Sequence, residues 1–98
     1  MRIISFRTLR EYYEENSSAK TALENWYKVT SSAEWNSLND IKNDFNSVDY
    51  VGNQRYVFNI KGNHYRLIVL ILFSIQRVYV RFVGTHAEYD KITDIKNI

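Results

Sequence analysis

With 98 residues, 45% of them apolar and 24% charged, and a formal net charge of +2, the chain is sized for one domain, 1–98, around one core. It has no cysteine, which excludes disulfides, thiol catalysis and cysteine-ligated metals and fits a reducing, cytoplasmic setting. The longest apolar run, Leu67 to Phe73, is far short of the roughly 20 residues of a spanning helix, and Met1 to Arg7 has no apolar leader core, so no membrane role is expected.

In chain order, Ile3 and Ile4 suit a short opening strand. Ser5 then stands where an N-cap would, ahead of Phe6, Leu9 and Tyr13 at helical spacing, with Glu14 and Glu15 outside. A second helix follows Ser17 or Ser18, where Ala19, Ala22, Leu23, Trp26, Val29 and Ala33 form an apolar stripe that assigns Trp26 to the core rather than to a ligand cage. Trp35, Leu38, Ile41 and Phe45 predict a further short helix, with Ser37 and Asp40 spaced as a capping box.

From Val51 to Ala87 the chemistry changes. This stretch holds Arg55, Lys61, Arg66, Arg77, Arg81 and both histidines but no Asp or Glu, while the rest of the chain is net acidic. A segregated positive field of this kind points to a polyanion. Three alternating runs place Tyr56, Phe58, Ile60, Leu67, Val69, Ile71, Phe73, Val78, Val80 and Phe82 on one apolar strand face. Every strand-borne cation falls on the other, among Val57, Asn59, Ile68, Leu70 and Tyr79. Lys61-Gly62-Asn63 reads as a tight hairpin turn and Ser74-Ile75-Gln76 as a looser one, which gives an antiparallel meander. A face made only for water would mix both signs of charge; one that has cations, apolar residues and no acid fits a phosphate-bearing ligand.

At the carboxyl end, Thr85-His86-Ala87-Glu88 has the spacing of a capping box directly after Gly84. The helix it starts carries His86, Tyr89 and Asp90 on one side. His86 admits two readings here, a packing or capping group and a proton-transfer group. His86 and Asp90 alone are too few for a metal site, so neither metal nor cofactor is expected. With helices on the apolar face, the whole is an α+β domain.

Two strings, Phe58-Asn59-Ile60-Lys61-Gly62-Asn63-His64-Tyr65-Arg66-Leu67-Ile68 and Val80-Arg81-Phe82-Val83-Gly84-Thr85-His86-Ala87-Glu88-Tyr89-Asp90-Lys91-Ile92, resemble the HigB family of RelE-like toxins. The likeness is specific over the last half of the chain; the first half matches in element order and length. It implies a βααβββα microbial ribonuclease fold, with an antiparallel sheet, two or three helices on one face and a short C-terminal helix. It also implies ribosome-dependent cleavage of mRNA and neutralisation by a HigA-like helix-turn-helix antitoxin.

By the same resemblance, Lys61, Arg66, Arg81 and Tyr89 surround the scissile phosphate, and His86 joins them from its place in the last helix. Arg55, Asn59, Asn63, Arg77, Tyr79 and Lys91 are the further candidates for RNA contact. RNA can supply its own nucleophile, the 2′-OH, so such a protein needs a base, an acid and charge stabilisation. Arginine forks suit the last role, whereas Lys61, His86 and Tyr89 are all left open as proton carriers. Two rival readings use the same fold or face. One is a ParE-like inhibitor of DNA gyrase, against which the full set of Lys61, Arg66, Arg81 and Tyr89 argues. The other is a non-catalytic binding module with Tyr56, Tyr65 and Tyr79 as stacking groups.

Overall fold

Helical apolar stripes become helices and alternating runs become strands in a computed structural model that describes residues 1–98. The order is β1 (Arg2–Ile4), α1 (Phe6–Glu15), α2 (Lys20–Ser32), α3 (Leu38–Asp44), β2 (Val48–Gly52), β3 (Arg55–Ile60), β4 (Tyr65–Leu72), β5 (Arg77–Thr85) and α4 (His86–Asp90). The strands form one sheet in the order β1-β5-β4-β3-β2. Neighbours are antiparallel except β1, which lies parallel to β5, so the sheet is mixed.

Helices α1 to α3 cover one face, where Leu9, Leu23, Trp26 and Ile41 are fully buried against Phe58, Leu67, Val69, Ile71 and Val78. Phe58 is the centre of this layer. Its ring meets those of Trp26, Trp35 and Phe45 at centroid distances of 5.6, 6.3 and 5.3 Å. Each such side chain contributes about 1.5–3 kcal/mol by leaving water, which far outweighs helix propensity in α3, only seven residues long.

Four local expectations need correction. Ser5 precedes α1 but does not cap it with its side chain, because it sits at φ 75°, ψ 38°, in the left-handed region. Side-chain capping needs an extended N-cap backbone, and here the chain must turn from β1 into α1 at this single residue. Ser37 does accept the Asp40 amide at 3.3 Å, yet the Asp40 carboxylate takes the amide of Asn36 rather than that of Ser37. Phe73 leaves the strand for a 3-10 turn, Phe73–Ile75. Strand β2 was not expected at all, since its run Val48-Asp49-Tyr50-Val51-Gly52 belongs to an exposed sheet edge and has little apolar pattern.

The largest correction concerns Phe82. A β-bulge puts Arg81 as an extra residue between the pairs Val69↔Val80 and Ile68↔Phe82. Beyond it the alternation is inverted. Phe82 therefore lies on the outer face opposite Ile68, and Val83 takes its place against the core.

That outer face is not open along its length. After α4 the chain runs back over it to β2 and β3, where Arg55 donates to the main-chain oxygen of Ile98 from Nε and Nη2 at 3.2 and 2.7 Å. Asn53 holds the Lys96 carbonyl at 3.0 Å. Val57 and Ile68 point outward but are only 3% and 0% exposed, and they lie outside the helix-side core. Phe82 stands opposite Ile68 on this face, and Ile92, Ile95 and Ile98 of the returning chain are half-buried.

Candidate active site

The site is built where the β3–β4 turn, the start of β4, the end of β5 and α4 meet. Lys61 and Gly62 open the turn at φ 53° and 63°, the paired positive values of a right-twisting hairpin. His64 closes it, and its carbonyl accepts the amide of His86 at 3.2 Å, which fastens the first residue of α4 to the turn. The α4 capping box is complete. Thr85 Oγ1 accepts the Glu88 amide at 3.1 Å, and Glu88 Oε1 accepts the Thr85 amide at 2.7 Å.

Arg66 is the junction. It pairs across the ladders with Asn59 on β3 and Gly84 on β5, so all three share the outer face. The guanidinium carbon lies 5.6 Å from the centroid of the Tyr89 ring, and Nη1 reaches the Asn63 carbonyl at 3.4 Å. A Cβ on Gly84 would stand 2.6 Å from the tip of the Phe82 ring and 3.0 Å from Glu88 Oε1. The glycine is thus what lets Phe82 and the capping carboxylate close in beside Arg66.

On α4, His86 Nδ1 and Asp90 Oδ2 are 2.9 Å apart. When Nδ1 carries the proton and donates it to the carboxylate, Nε2 is the free acceptor. The His86 and Tyr89 rings are 6.5 Å apart and nearly perpendicular. Behind α4, burial pushes the Tyr12 phenol above its ordinary value, with Glu88 and Tyr65 adding to the rise. No three His, Asp or Glu side chains converge to hold a metal.

The structure gathers some of the expected residues and separates others. Arg66, His86, Tyr89, Asn59 and Asn63 form one cluster. Lys61 belongs to the same turn but is exposed at its edge, where it lines a shallow cleft with Ser18, just before α2, and with Thr21 and Asn25 of α2. Arg81 is exposed on the bulge, 5.9 Å from the Tyr79 ring, so these two make a second cationic spot further down β5. Lys91 caps the end of α4 and is exposed. Arg77 starts β5 beside Arg2 of β1, about 26 Å along the strand from Thr85, outside the cluster. Arg55 is taken by Ile98. Tyr56 and Tyr65 are 7% and 9% exposed, within the core, and offer no stacking face. Sequence reasoning missed Gly84, whose part depends on the bulge; it did put Asp90 on the same side of the helix as His86, but weighed the two only as metal ligands and not as the hydrogen-bonded pair they form.

A mixed sheet that presents arginines beside a capped C-terminal helix, with three helices behind it, is consistent with the RelE-like toxin fold that the sequence resemblance implies. The HigB_toxin family model, described as the RelE-like toxic component of a toxin-antitoxin system, matches residues 19–92. A protein of Escherichia coli named mRNA interferase toxin HigB is 31% identical over 98 residues, covering 97% of this chain and 93% of that protein. One of Shigella flexneri, mRNA interferase HigB, has the same identity and coverage. Another Escherichia coli protein of that name is 30% identical over 95 residues, covering 95% of this chain and 92% of its own length. The chain belongs to the HigB family of toxins, and so acts as one half of a toxin–antitoxin pair.

Proposed function

We propose that the chain is an mRNA interferase, an endoribonuclease that cuts message on the ribosome by activating the RNA's own 2′-OH. The observation that carries this reading is the cluster in which Arg66 lies over Tyr89 beside the His86–Asp90 pair. It combines a fixed cation with groups able to move protons, on a face that also bears Arg81 and, at its rim, Lys61.

In the reaction, the 2′-oxygen attacks the adjacent phosphorus as a base takes its proton, the bond to the 5′-oxygen breaks, and that oxygen receives a proton from an acid. The products are a 2′,3′-cyclic phosphate and a 5′-hydroxyl. Arg66 stabilises charge on the phosphoryl oxygens of the scissile group, since its guanidinium fork stays protonated, and Arg81, further down β5, meets the adjoining phosphate. His86 Nε2, Lys61 and Tyr89 share the proton transfers. Asn59, Asn63, Tyr79 and Lys91 hold the flanking strand. The scheme needs no metal ion. The partner is a HigA-like helix-turn-helix antitoxin and the setting is the cytoplasm.

The test is Arg66→Ala. Removing a donor at a developing oxyanion costs about 10²–10³ in rate, so this variant should lose growth arrest and message cleavage at equal expression. A message with 2′-deoxy sugar at the scissile position should resist the unaltered protein. Full toxicity of Arg66→Ala, or cutting of the deoxy message, refutes the reading.

A further inference from the structure

A helix of five residues does not hold itself in place; isolated helices of this length are unstable in water. Helix α4 must therefore be fixed from both ends. Its start is fixed by β5, by the capping box and by the His86 amide on the His64 carbonyl. Its far end runs into residues 91–98; Ile92, Ile95 and Ile98 of that strap are half-buried, and its hydrogen bonds to the sheet are made at the β2–β3 hairpin and the residue that follows it. Arg55 donates two bonds to the Ile98 oxygen and a third, of 2.9 Å, from Nη1 to the Asn53 carbonyl. Asn53 in turn donates to the Lys96 carbonyl, and the Lys96 side chain lies along Gly52, 3.6 Å from where a Cβ would be.

We propose that Arg55 is a positioning residue for α4. It holds the strap, the strap fixes the Asp90 end of the helix, and the helix keeps Tyr89 beneath Arg66. The proposal rests on the function argued above. It assigns Arg55 to the enzyme's own chain, in place of the RNA contact expected from its charge. The geometry favours this assignment because all three guanidinium bonds go to main-chain oxygens of the hairpin and the strap. Two of them form a fork on a single oxygen, which a lysine cannot reproduce.

The experiment compares Arg55→Ala, Arg55→Lys, a chain lacking residues 95–98, and the combination of Arg55→Ala with that deletion. Cleavage is followed on programmed ribosomes well below every melting temperature, with Arg66→Ala as control. Loss of geometry should appear in kcat, by roughly tenfold to a hundredfold, with KM and the salt dependence of RNA binding unchanged. Arg55→Lys should not rescue. The combination should be no worse than the stronger single change, because both release the same strap. Arg66 δ-proton shifts, displaced by the Tyr89 ring current, report the position of α4 without any activity. They should relax towards unstacked values in every strap variant whose amide spectrum stays folded.

If Arg55→Ala instead raises KM and lowers the salt slope while the deletion is silent and the Arg66 shifts stay put, Arg55 is an RNA ligand and the proposal is wrong. A fully active Arg66→Ala control would instead overturn the proposed function, while the Arg66 shifts still decide whether the strap positions α4.

Discussion

Lys61 joins strain and chemistry in one side chain. Its φ of 53° is left-handed, a conformation that costs a residue with a Cβ roughly 1–2 kcal/mol. Glycine has no such cost there, though it gives back part of the gain as unfolded-state entropy. Lys61→Gly should therefore raise the unfolding free energy by up to about 1 kcal/mol in a urea titration while lowering cleavage. A loss of stability would mean that the lysine side chain carries native contacts across the cleft to α2. The position was legible as a turn and its cation as a candidate. Its place beside Ser18, Thr21 and Asn25 was not, since that depends on how α2 docks on the sheet.

On the scale of single elements, β5 decides which residues meet. Alternation read at a strict period of two placed Phe82 in the core, and it is correct up to Val80. One extra residue at Arg81 then inverts the remainder, bringing Gly84 opposite Arg66 and the Phe82 ring over the space a side chain on Gly84 would fill. Nothing in the composition of Val80-Arg81-Phe82-Val83 marks a bulge, because apolar residues flank it on both sides and either register buries one. Gly84→Ala should cost about 1–3 kcal/mol by overpacking, measured by thermal or urea unfolding. In Phe82→Ala the same change should cost clearly less, as the ring that opposes it is gone. Equal costs in both backgrounds would show that the Glu88 carboxylate, not the ring, is what Gly84 accommodates. Helix α4 was the opposite case, read correctly from four residues, because a capping box is local chemistry that tertiary context did not need to supply.

Taken whole, the molecule mixes both signs of charge in each layer. The helical side carries exposed acids, with Arg7–Glu11 and Arg10–Glu14 pairs at 2.7 and 3.6 Å along α1. The outer side carries Arg66 and Arg81. Exposed pairs of the first kind contribute little to stability, whereas two tyrosines give the fold an alkaline sensitivity. Burial, then Glu88 and Tyr65, raises the Tyr12 phenol above 10.0; burial, then Tyr50, does the same for Tyr56. A raised folded value means that the native state keeps these protons more tightly than the unfolded chain does. Their contribution is complete below about pH 10 and is lost as pH climbs through the higher folded values. Urea midpoints should thus fall from pH 10 upwards. The double variant Tyr12→Phe, Tyr56→Phe should flatten that fall, and the Tyr12 hydroxyl has no hydrogen-bond partner to lose. An unchanged slope would place the alkaline sensitivity elsewhere.

The parallel pairing of β1 with β5 has a consequence in time. Arg2 lies in register with Arg77, so β1 has no strand neighbour until the 72 residues between β1 and β5 have been made. Contacts of such long sequence separation form late, because the loop between them must be closed first. The strand that β1 awaits is also the one that carries Arg81 and leads into the helix of His86 and Tyr89. On a growing chain β1 is therefore seated only once the segment bearing Arg81, His86 and Tyr89 has been made, which ties the docking of this strand to the completion of the proposed site.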